Sequence, residues 1–436
     1  MVKRLQIAAL CLIFGLMLAG AVPAQKIGVR PPAGDRASSI AAAERAMDRE
    51  AWPEAEAILR KLVAANAKDA LAWFDLGYVM HAQKNYAEAI TAYRGAVAAQ
   101  PQSFECNLNL GLMLAHEGRP EASKYLEAAT RLKPTGEHPG QSLANAWSAL
   151  AEVEEHDAPD AALAAWAHAV ELAPDVQNHL GYGTALEKAG KSAEAEAELR
   201  KAGALDPKSS DAMAALASFY MRGKRLPEAE QTLTRLVAIA PSDENAHLQL
   251  GRVLGAEGKN AEAAVELRKA VELRPADWDA LRDLALVQEH GKQYEDAAQS
   301  YRRLIAQFPE DSDAHNGLGT VLLAQHLYAE AERELLVCVR LKPEWGEAYG
   351  QLALAASGNK DYELAIKALD ARRKLLPELP SSYFLRATCY DHLRRFAEAV
   401  ENYKAFLAIA DGKFPNEEWE ARHRLIAIEP EVKKKR

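Results

Sequence analysis

The stretch Asp69-Ala-Leu-Ala-Trp-Phe-Asp-Leu-Gly-Tyr-Val-Met80 decides the fold. Its Trp73, Leu76, Gly77 and Met80 fall at i, i+3, i+4 and i+7, the spacing of one face of an α-helix. A second helical run, Ala87 to Ala99, places Ala89, Tyr93 and Ala96 on one face, and Pro101 then ends it by withholding an amide hydrogen. Gly77 and Ala89 are small because two antiparallel helices approach closely only where side chains vanish, and larger groups fill the gaps beside them. The stretch therefore predicts a helical hairpin.

The hairpin recurs along the chain. Pro101, Pro134, Pro174, Pro207, Pro241, Pro275, Pro309, Pro343 and Pro377 are separated by 33, 40 and 33 residues and then by 34 five times. A second ladder runs through Ala55, Ala89, Ala122, Ala162, Ala195, Ala229, Ala263, Ala297, Ala331, Ala365 and Ala399, and its eleven rungs predict eleven units. These occupy residues 36–69, 70–103, 104–136, 143–175, 176–209, 210–243, 244–277, 278–311, 312–345, 346–379 and 380–413. Such an array accommodates 436 residues, too many for one ordinary compact core. The 49% hydrophobic and 26% charged content excludes wholesale disorder.

Trp73, Leu76, Gly77, Ala89, Tyr93, Ala96 and Pro101 resemble the signature of the tetratricopeptide repeat, a helix-turn-helix unit of 34 residues. His247, Leu250, Gly251, Leu254, Ala263, Leu267, Ala270 and Pro275 resemble it equally, as do Leu318, Gly319, Leu322, Ala331, Leu335 and Pro343. The resemblance covers residues 36–413 and implies an all-α, right-handed α-solenoid of about eleven hairpins, of an exported bacterial type. Departures from the pattern are Ala42, Ala43 and Ala46 in the first unit, shortened third and fourth units, and an insert near Thr135 to Ser142, expected as a loop. A terminal cap is expected of a solenoid, and residues 414–436 supply a capping helix and a basic tail. In Asn416 to Glu429, Trp419, His423, Leu425 and Ile428 alternate with charges at helical spacing, and the helix is predicted to end before Pro430.

The N-terminus reads as an address. Lys3 and Arg4 precede an apolar run from Ile7 to Val22, and Val22-Pro23-Ala24 offers small residues for cleavage, so residues 1–24 are expected to be a secretory signal. The protein is then periplasmic or extracellular, the alternative being an inner-membrane anchor left uncleaved. A run of 16 residues broken by Gly15 and Gly20 falls short of the roughly 20 that span a bilayer comfortably, so no stable span is expected after cleavage. Residues 25–35, with Pro31, Pro32 and Gly34, read as a flexible leader. Cys11 lies within the apolar run, and Cys106, Cys338 and Cys389 show no CxxC spacing, so neither a disulfide framework nor a zinc site is expected.

No enzyme is indicated. HExxH, GxSxG and GxxxxGK[ST] do not occur, and Gly181-Tyr182-Gly183 lies in a repeat helix with no strand before it. No catalytic residue, metal or cofactor is expected. A net charge of -9 disfavours nucleic acid, and Lys433 to Arg436 reads as a solvated end. His179, His247 and His315 take the place of Trp73 and are expected as packing groups. His81, His116, His156, His290 and His392 fall near first-helix C-termini, where a partly protonated ring suits the helix dipole; a sharper reading makes them a pH-sensitive row along a groove.

By the resemblance, a groove is lined by the second, fifth, ninth, twelfth and thirteenth residues of each unit. Carried over, these are Leu71, Phe74, Tyr78, His81 and Ala82 in the second unit and Glu105, Leu108, Leu112, Ala115 and His116 in the third. Phe74, Tyr78, Leu108 and Leu112 form the expected apolar strip for an amphipathic helix or extended peptide, edged by Glu105, His81 and His116. The alternative is that these side chains bury against the neighbouring first helix, or against the N-terminal leader folded back. Later units are more polar there, with Asp279, Arg282, His290, Asp313, Asn316 and Thr320. No unit pairs a lysine at position five with an asparagine at nine, so the family's carboxylate clamp is not expected. The function expected is a non-enzymatic scaffold or adaptor for other proteins in the envelope. The alternative is an accessory subunit recruiting substrate to a separate envelope enzyme. Oligomeric state is left open.

Overall fold

The computed structural model describes residues 35–434. The expected signal, most of the leader and the last two residues of the basic tail lie outside the described residues. The chain divides into two compact halves, one ending at Phe219 and the other beginning at Tyr220. The first holds α1 (Asp35–Asp48), α2 (Trp52–Ala65), α3 (Ala70–Ala82), α4 (Tyr86–Ala99), α5 (Phe104–His116), α6 (Ala122–Thr130), α7 (Pro139–Glu154), α8 (Pro159–Leu172), α9 (Val176–Lys188) and α10 (Ser192–Leu205). Helix α11 (Ser210–Arg222) contains the division. The second half continues with α12 (Leu226–Ile239), α13 (Glu244–Ala256), α14 (Asn260–Leu273), α15 (Trp278–His290), α16 (Tyr294–Gln307), α17 (Ser312–Ala324), α18 (Tyr328–Leu341), α19 (Gly346–Gly358), α20 (Tyr362–Leu375), α21 (Pro380–His392), α22 (Phe396–Ala410) and α23 (Pro415–Lys434). No strand occurs among the described residues. In the first half the hairpins run from α1–α2 to α9–α10 and in the second from α13–α14 to α21–α22, each opened by an odd-numbered helix and closed by its successor, and α23 caps the last.

Within the first half, α1 packs on α2, α3 on α4, α5 on α6, α7 on α8 and α9 on α10, while α2–α3, α4–α5, α6–α7 and α8–α9 join each hairpin to the next. The second half repeats this from α12 to α23. Every alanine of the ladder in the described hairpins is buried, from Ala55 through Ala399. Beside it, a leucine such as Leu59, Leu126, Leu267 or Leu335 is fully enclosed, each contributing roughly 2 kcal/mol by removal from water.

What sets the distance between the two helices of a hairpin is a small residue on the first, alanine in repeats such as those of Ala285 and Ala353 and glycine in others. A Cβ added at Gly77 would lie 2.7 Å from the ring of Tyr93, at Gly251 2.5 Å from Leu267 Cγ, and at Gly319 2.5 Å from Leu335 Cγ. No real Cβ sits so close, so the large side chain of the second helix lies directly on the bare backbone of the first. Tyr93 in turn meets Phe74 edge to face, with ring centroids 5.6 Å apart.

The ends of the helices are specified as tightly. Asp69, Asp175, Asp243, Asp277 and Asp311, one residue before α3, α9, α13, α15 and α17, each accept a hydrogen bond from a first-turn amide, and Ser103 does so for α5. The turns inside the hairpins, that between α7 and α8 excepted, each carry one left-handed residue. Gly118, Gly190 and Gly258 supply it without strain, but Lys84, Lys292, His326 and Lys360 adopt φ of 60°, 58°, 62° and 67° there.

Two expectations change. The insert near Thr135 to Ser142 is a loop only as far as His138, because Pro139 opens α7 as its first helical residue, where its missing amide hydrogen has no partner to lose. The loop is fastened by Thr135, whose backbone amide donates to Glu105 at 2.9 Å and whose hydroxyl donates to the same oxygen. At the other end, α23 runs through Pro430 rather than stopping before it. The carbonyl that Pro430 leaves without a donor belongs to Ile426, which is 74% exposed and so meets water. Ala421 and Ile428 face the last hairpin, and Arg424 grips Asp391 through two bonds of 2.6 and 2.7 Å, while Trp419 and His423 turn outward.

One carboxyl is misplaced in the stack. Arg252 on α13 reaches Asp283, the sixth residue of the next repeat, at 2.5 Å. In the first two repeats the matching positions hold Glu44 and Asp75, acid facing acid. Asp75 is buried with one oxygen unpartnered, and burial, then Glu44 and Asp69, push its carboxyl up to about 7.

Gly319→Ala is expected to lower stability by about 1–3 kcal/mol, the usual range for overpacking, and Gly319→Ala with Leu335→Ala should recover most of that loss relative to Leu335→Ala alone. Denaturant titration of the four proteins reads the coupling; additive losses would show that the two positions do not meet.

Candidate functional site

The seven residues singled out in the second and third repeats separate into three groups. Phe74 does not line an open surface: it is 4% exposed, held against Tyr93 in the core, because it lies on the side of α3 that faces α4. Glu105 is likewise buried, its carboxylate taken up by Ser103 and by the Thr135 loop. Leu108 and Leu112 are half-buried and pack with Leu126, Ala149 and Leu150, so α7 covers much of what would have been the strip.

Tyr78, His81 and His116 keep open surface. Tyr78 meets Trp52 edge to face at 6.2 Å. His81 and His116 both approach Tyr86, at centroid distances of 6.0 and 4.5 Å. The half-exposed row is therefore Trp52, Tyr78, His81, Tyr86 and His116. Burial, and then the neighbouring His116, hold the His81 imidazole below its ordinary pKa, so near neutral pH this ring is uncharged and the row offers mainly aromatic edges.

Sequence reasoning missed Trp52 and Tyr86, although a signal was there. Trp52, Tyr86, Tyr294, Tyr328, Tyr362 and Phe396 sit at the first residue of their hairpins' second helices. The aromatic ring at this position lies against the end of the following first helix: Tyr86 on His116, Tyr362 stacked on His392 at 4.5 Å, and Tyr328 where a Cβ on Gly358 would come within 2.4 Å. Of the histidines at first-helix ends, His392 thus stacks on a ring of the preceding repeat and His116 packs against one at a tilt.

The histidines that replace Trp73 do more than fill space. The Trp73 indole donates to the carbonyl of Ala67 at 3.0 Å, Asn107 donates to Pro101 at 2.9 Å, and His247 and His315 reach Pro241 and Pro309 at 3.2 and 3.1 Å. In each case the acceptor is six residues back, at the carbonyl where the preceding second helix has ended. The other ring nitrogen of His247 and His315 meets Glu266 and Glu334 on the second helix, both at 2.7 Å, and His179 meets Glu198 at 2.6 Å. At His315 the nitrogen facing the carbonyl and the one facing the carboxylate must both carry protons to bond, which favours the imidazolium. For His315 the bond to Glu334 raises the pKa above its ordinary value.

The polar positions of the later repeats are engaged with one another. Arg282 spans Asp279 at 3.0 Å and Asp311 at 2.8 Å, and Asn316 accepts the Thr320 hydroxyl at its carbonyl. No group of three or more metal-ligating side chains occurs among the described residues, and none of the described helices is long and apolar enough to cross a membrane.

Models of the tetratricopeptide repeat match residues 186–251 and, in a second version, residues 40–104, 85–137, 248–309, 293–343 and 351–414. No curated protein sequence matches the chain. Among solved structures, YrrB, described as a TPR protein with an unusual peptide-binding site, is 19% identical over 45% of this chain and 97% of its own, with a TM-score of 0.39. The Cut9–Hcn1 hetero-tetramer of the APC/C is 13% identical over 90% of this chain and 96% of its own, with a TM-score of 0.38. A tetratricopeptide repeat protein from Parabacteroides merdae is 15% identical over 58% and 99%, with a TM-score of 0.39.

The raised pKa of His315 fixes the sign of a pH effect. Its ion pair adds stability that is complete below the unfolded value of about 6.5 and is lost as pH rises through the higher folded value. His315→Asn keeps a donor for Pro309, as Asn107 does for Pro101, but has nothing to titrate. Unfolding curves from pH 5.5 to 8.5 should therefore converge for the two proteins at the alkaline end and separate in acid; parallel curves would remove the imidazolium.

Proposed function

The chain belongs to the tetratricopeptide repeat family, and from that premise we propose that it is a non-enzymatic scaffold, exported to the cell envelope, which holds segments of other proteins. The tetratricopeptide fold supports protein–protein interaction as the mode of action. The observation that carries the reading for this chain is the half-exposed row of Trp52, Tyr78, His81, Tyr86 and His116 on packed hairpins.

Aromatic side chains suit such a surface because they give large contact area while losing little rotamer freedom on binding. The row needs no charge on its partner, since His81 is held neutral by burial. Its ligand is an apolar or amphipathic segment, and the hairpins behind it fix the spacing of the rings before anything binds, which limits the ordering entropy lost on association. Export is supported by the order of Lys3 and Arg4, the apolar run to Val22, and Val22-Pro23-Ala24.

Two measurements test this. Tyr78→Ser combined with Trp52→Ser should reduce the yield of proteins captured from an envelope fraction by at least about tenfold, the equivalent of roughly 1.4 kcal/mol, with unchanged far-ultraviolet circular dichroism; equal capture would move the site elsewhere. Residues 1–35 fused to a reporter enzyme that is active only outside the cytoplasm should give activity, and Leu12→Arg in the apolar run should abolish it. An inactive fusion would leave the scaffold inside the cell.

A further inference from the structure

A second surface, in the other half of the chain, has its own chemistry. Between the end of α14, the start of α15 and the end of α16 lies an open cleft of about 940 Å³. Trp278, the first residue of α15, and Phe308, which follows α16, stand in it edge to face, with centroids 5.5 Å apart and planes at 90°. Phe308 is 37% exposed and Trp278 half-buried. The aromatic walls are confined to this junction: the residues matching Trp278 in the neighbouring repeats are Glu244 and Ser312, and those matching Phe308 are Arg274 and Lys342.

Four carboxylates line the cleft, from Asp277, Asp279, Glu310 and Asp311, against two guanidiniums. Both guanidiniums are committed, Arg282 to Asp279 and Asp311, and Arg274 to Glu244 at 2.7 Å and Asp277 at 3.8 Å. Glu310 is exposed and has no ion-pair partner among the described residues. The side chain of Asp279, though bonded to Arg282, is 79% exposed. An anion entering here would meet an excess of negative charge, and a neutral apolar group would strip water from open carboxylates without replacing it.

The chain itself displays what such a place accepts. One repeat further on, Lys342 Nζ stands 4.5 Å from the centre of the Trp345 ring and 3.8 Å from Asp313, a cation held between an aromatic face and a carboxylate. In the Trp278 repeat the positions of Lys342 and Trp345 are occupied by Phe308 and Asp311, so the internal cation gives way to a ring and its ring to a carboxylate, while Trp278 adds a second ring where the next repeat has Ser312. Rings and carboxylates remain, and the cation is absent from the repeat's own sequence.

We infer that this cleft takes an arginine side chain from a partner polypeptide. A planar guanidinium stacks on an indole or phenyl face and at the same time donates to carboxylates at its edge, which an ammonium does less well. The inference rests on the scaffold reading for the source of the arginine, yet it concerns a surface separate from the Trp52–His116 row.

The test uses the full chain labelled with 5-fluorotryptophan, in which Trp278→Phe identifies the resonance of Trp278. Acetyl-arginine methylamide should shift that resonance saturably, and the citrulline analogue, equal in shape and uncharged, should require at least about fivefold more ligand. The lysine analogue should fall between them. Glu310→Gln with Asp279→Asn should weaken the arginine response by a similar factor while the other tryptophan resonances stay in place, and Phe308→Leu should weaken it without altering the charge. Equal response to arginine and citrulline, or no saturable response, overturns the inference and leaves the capture experiment on Tyr78 and Trp52 unaffected. Undiminished capture in that experiment, with the arginine response intact, would overturn the first surface alone.

Discussion

The structure depends on a contact in which a residue with little or no side chain, glycine or alanine, lies under one with a large side chain. Gly251 under Leu267 and Gly319 under Leu335 bring the two helices of a hairpin so close that a single added methyl has nowhere to go. Once that separation is set, the turn joining the helices is short, and outside the α7–α8 turn it carries a left-handed residue even where the chain supplies lysine or histidine rather than glycine. The hairpin so formed still has an apolar side, and burial of that side by the next hairpin makes each repeat the core of its neighbour. The alanine ladder marks the same closeness on the second helix, and the proline ladder marks where the chain must leave one hairpin to start another.

Those steric requirements were legible because they admit few residue types. A glycine, an alanine and a proline at fixed spacing have few other physical reasons to recur. Chemical equivalence was less legible: Trp73, Asn107, His247 and His315 look unrelated by size and polarity, yet all present an N–H to the carbonyl six residues earlier. The binding strip was only partly legible for another reason. Helical periodicity tells which residues share a side of α3 or α5, but Phe74 and Tyr78 are one turn apart, and whether each ring meets the core or the surface depends on the helices around it. Phe74 found Tyr93, whereas Tyr78 found Trp52 at the edge. Likewise the exposure of Leu108 and Leu112 depended on how closely α7 returns after the insert, and Pro139 starts that helix earlier than a loop reading allowed. Proline inside α23 was tolerated because the orphaned carbonyl faces solvent, a fact about surroundings rather than about proline.

Repetition also explains an apparent error in the charge pattern. Where Arg252 reaches forward to Asp283, the two repeats exchange an ion pair across their junction. At the first junction Glu44 replaces the arginine, and burial with Glu44 nearby pushes the Asp75 carboxyl up to about 7, while the packing of Leu76 and Gly77 beside it holds its backbone in place. A stack of nearly identical units holds its geometry while the chemistry at one position is adverse, because the helices are positioned by contacts elsewhere in the hairpin.

The same separation of frame from chemistry leaves room for function. The glycine-under-leucine contact involves neither the first residue of a repeat nor the residue that follows its second helix, so these edge positions change without disturbing the hairpin. After α18 this edge carries Lys342, which lies over Trp345 at the end of the same repeat and is satisfied from within; after α16 it carries Phe308 beside Trp278 among four carboxylates, with the cation left to a partner. The two differ by a few side chains on an unchanged backbone plan. Recognition in this chain therefore resides where the repeat is irregular, and the regular positions supply the rigid spacing that lets an irregular one act as a pocket.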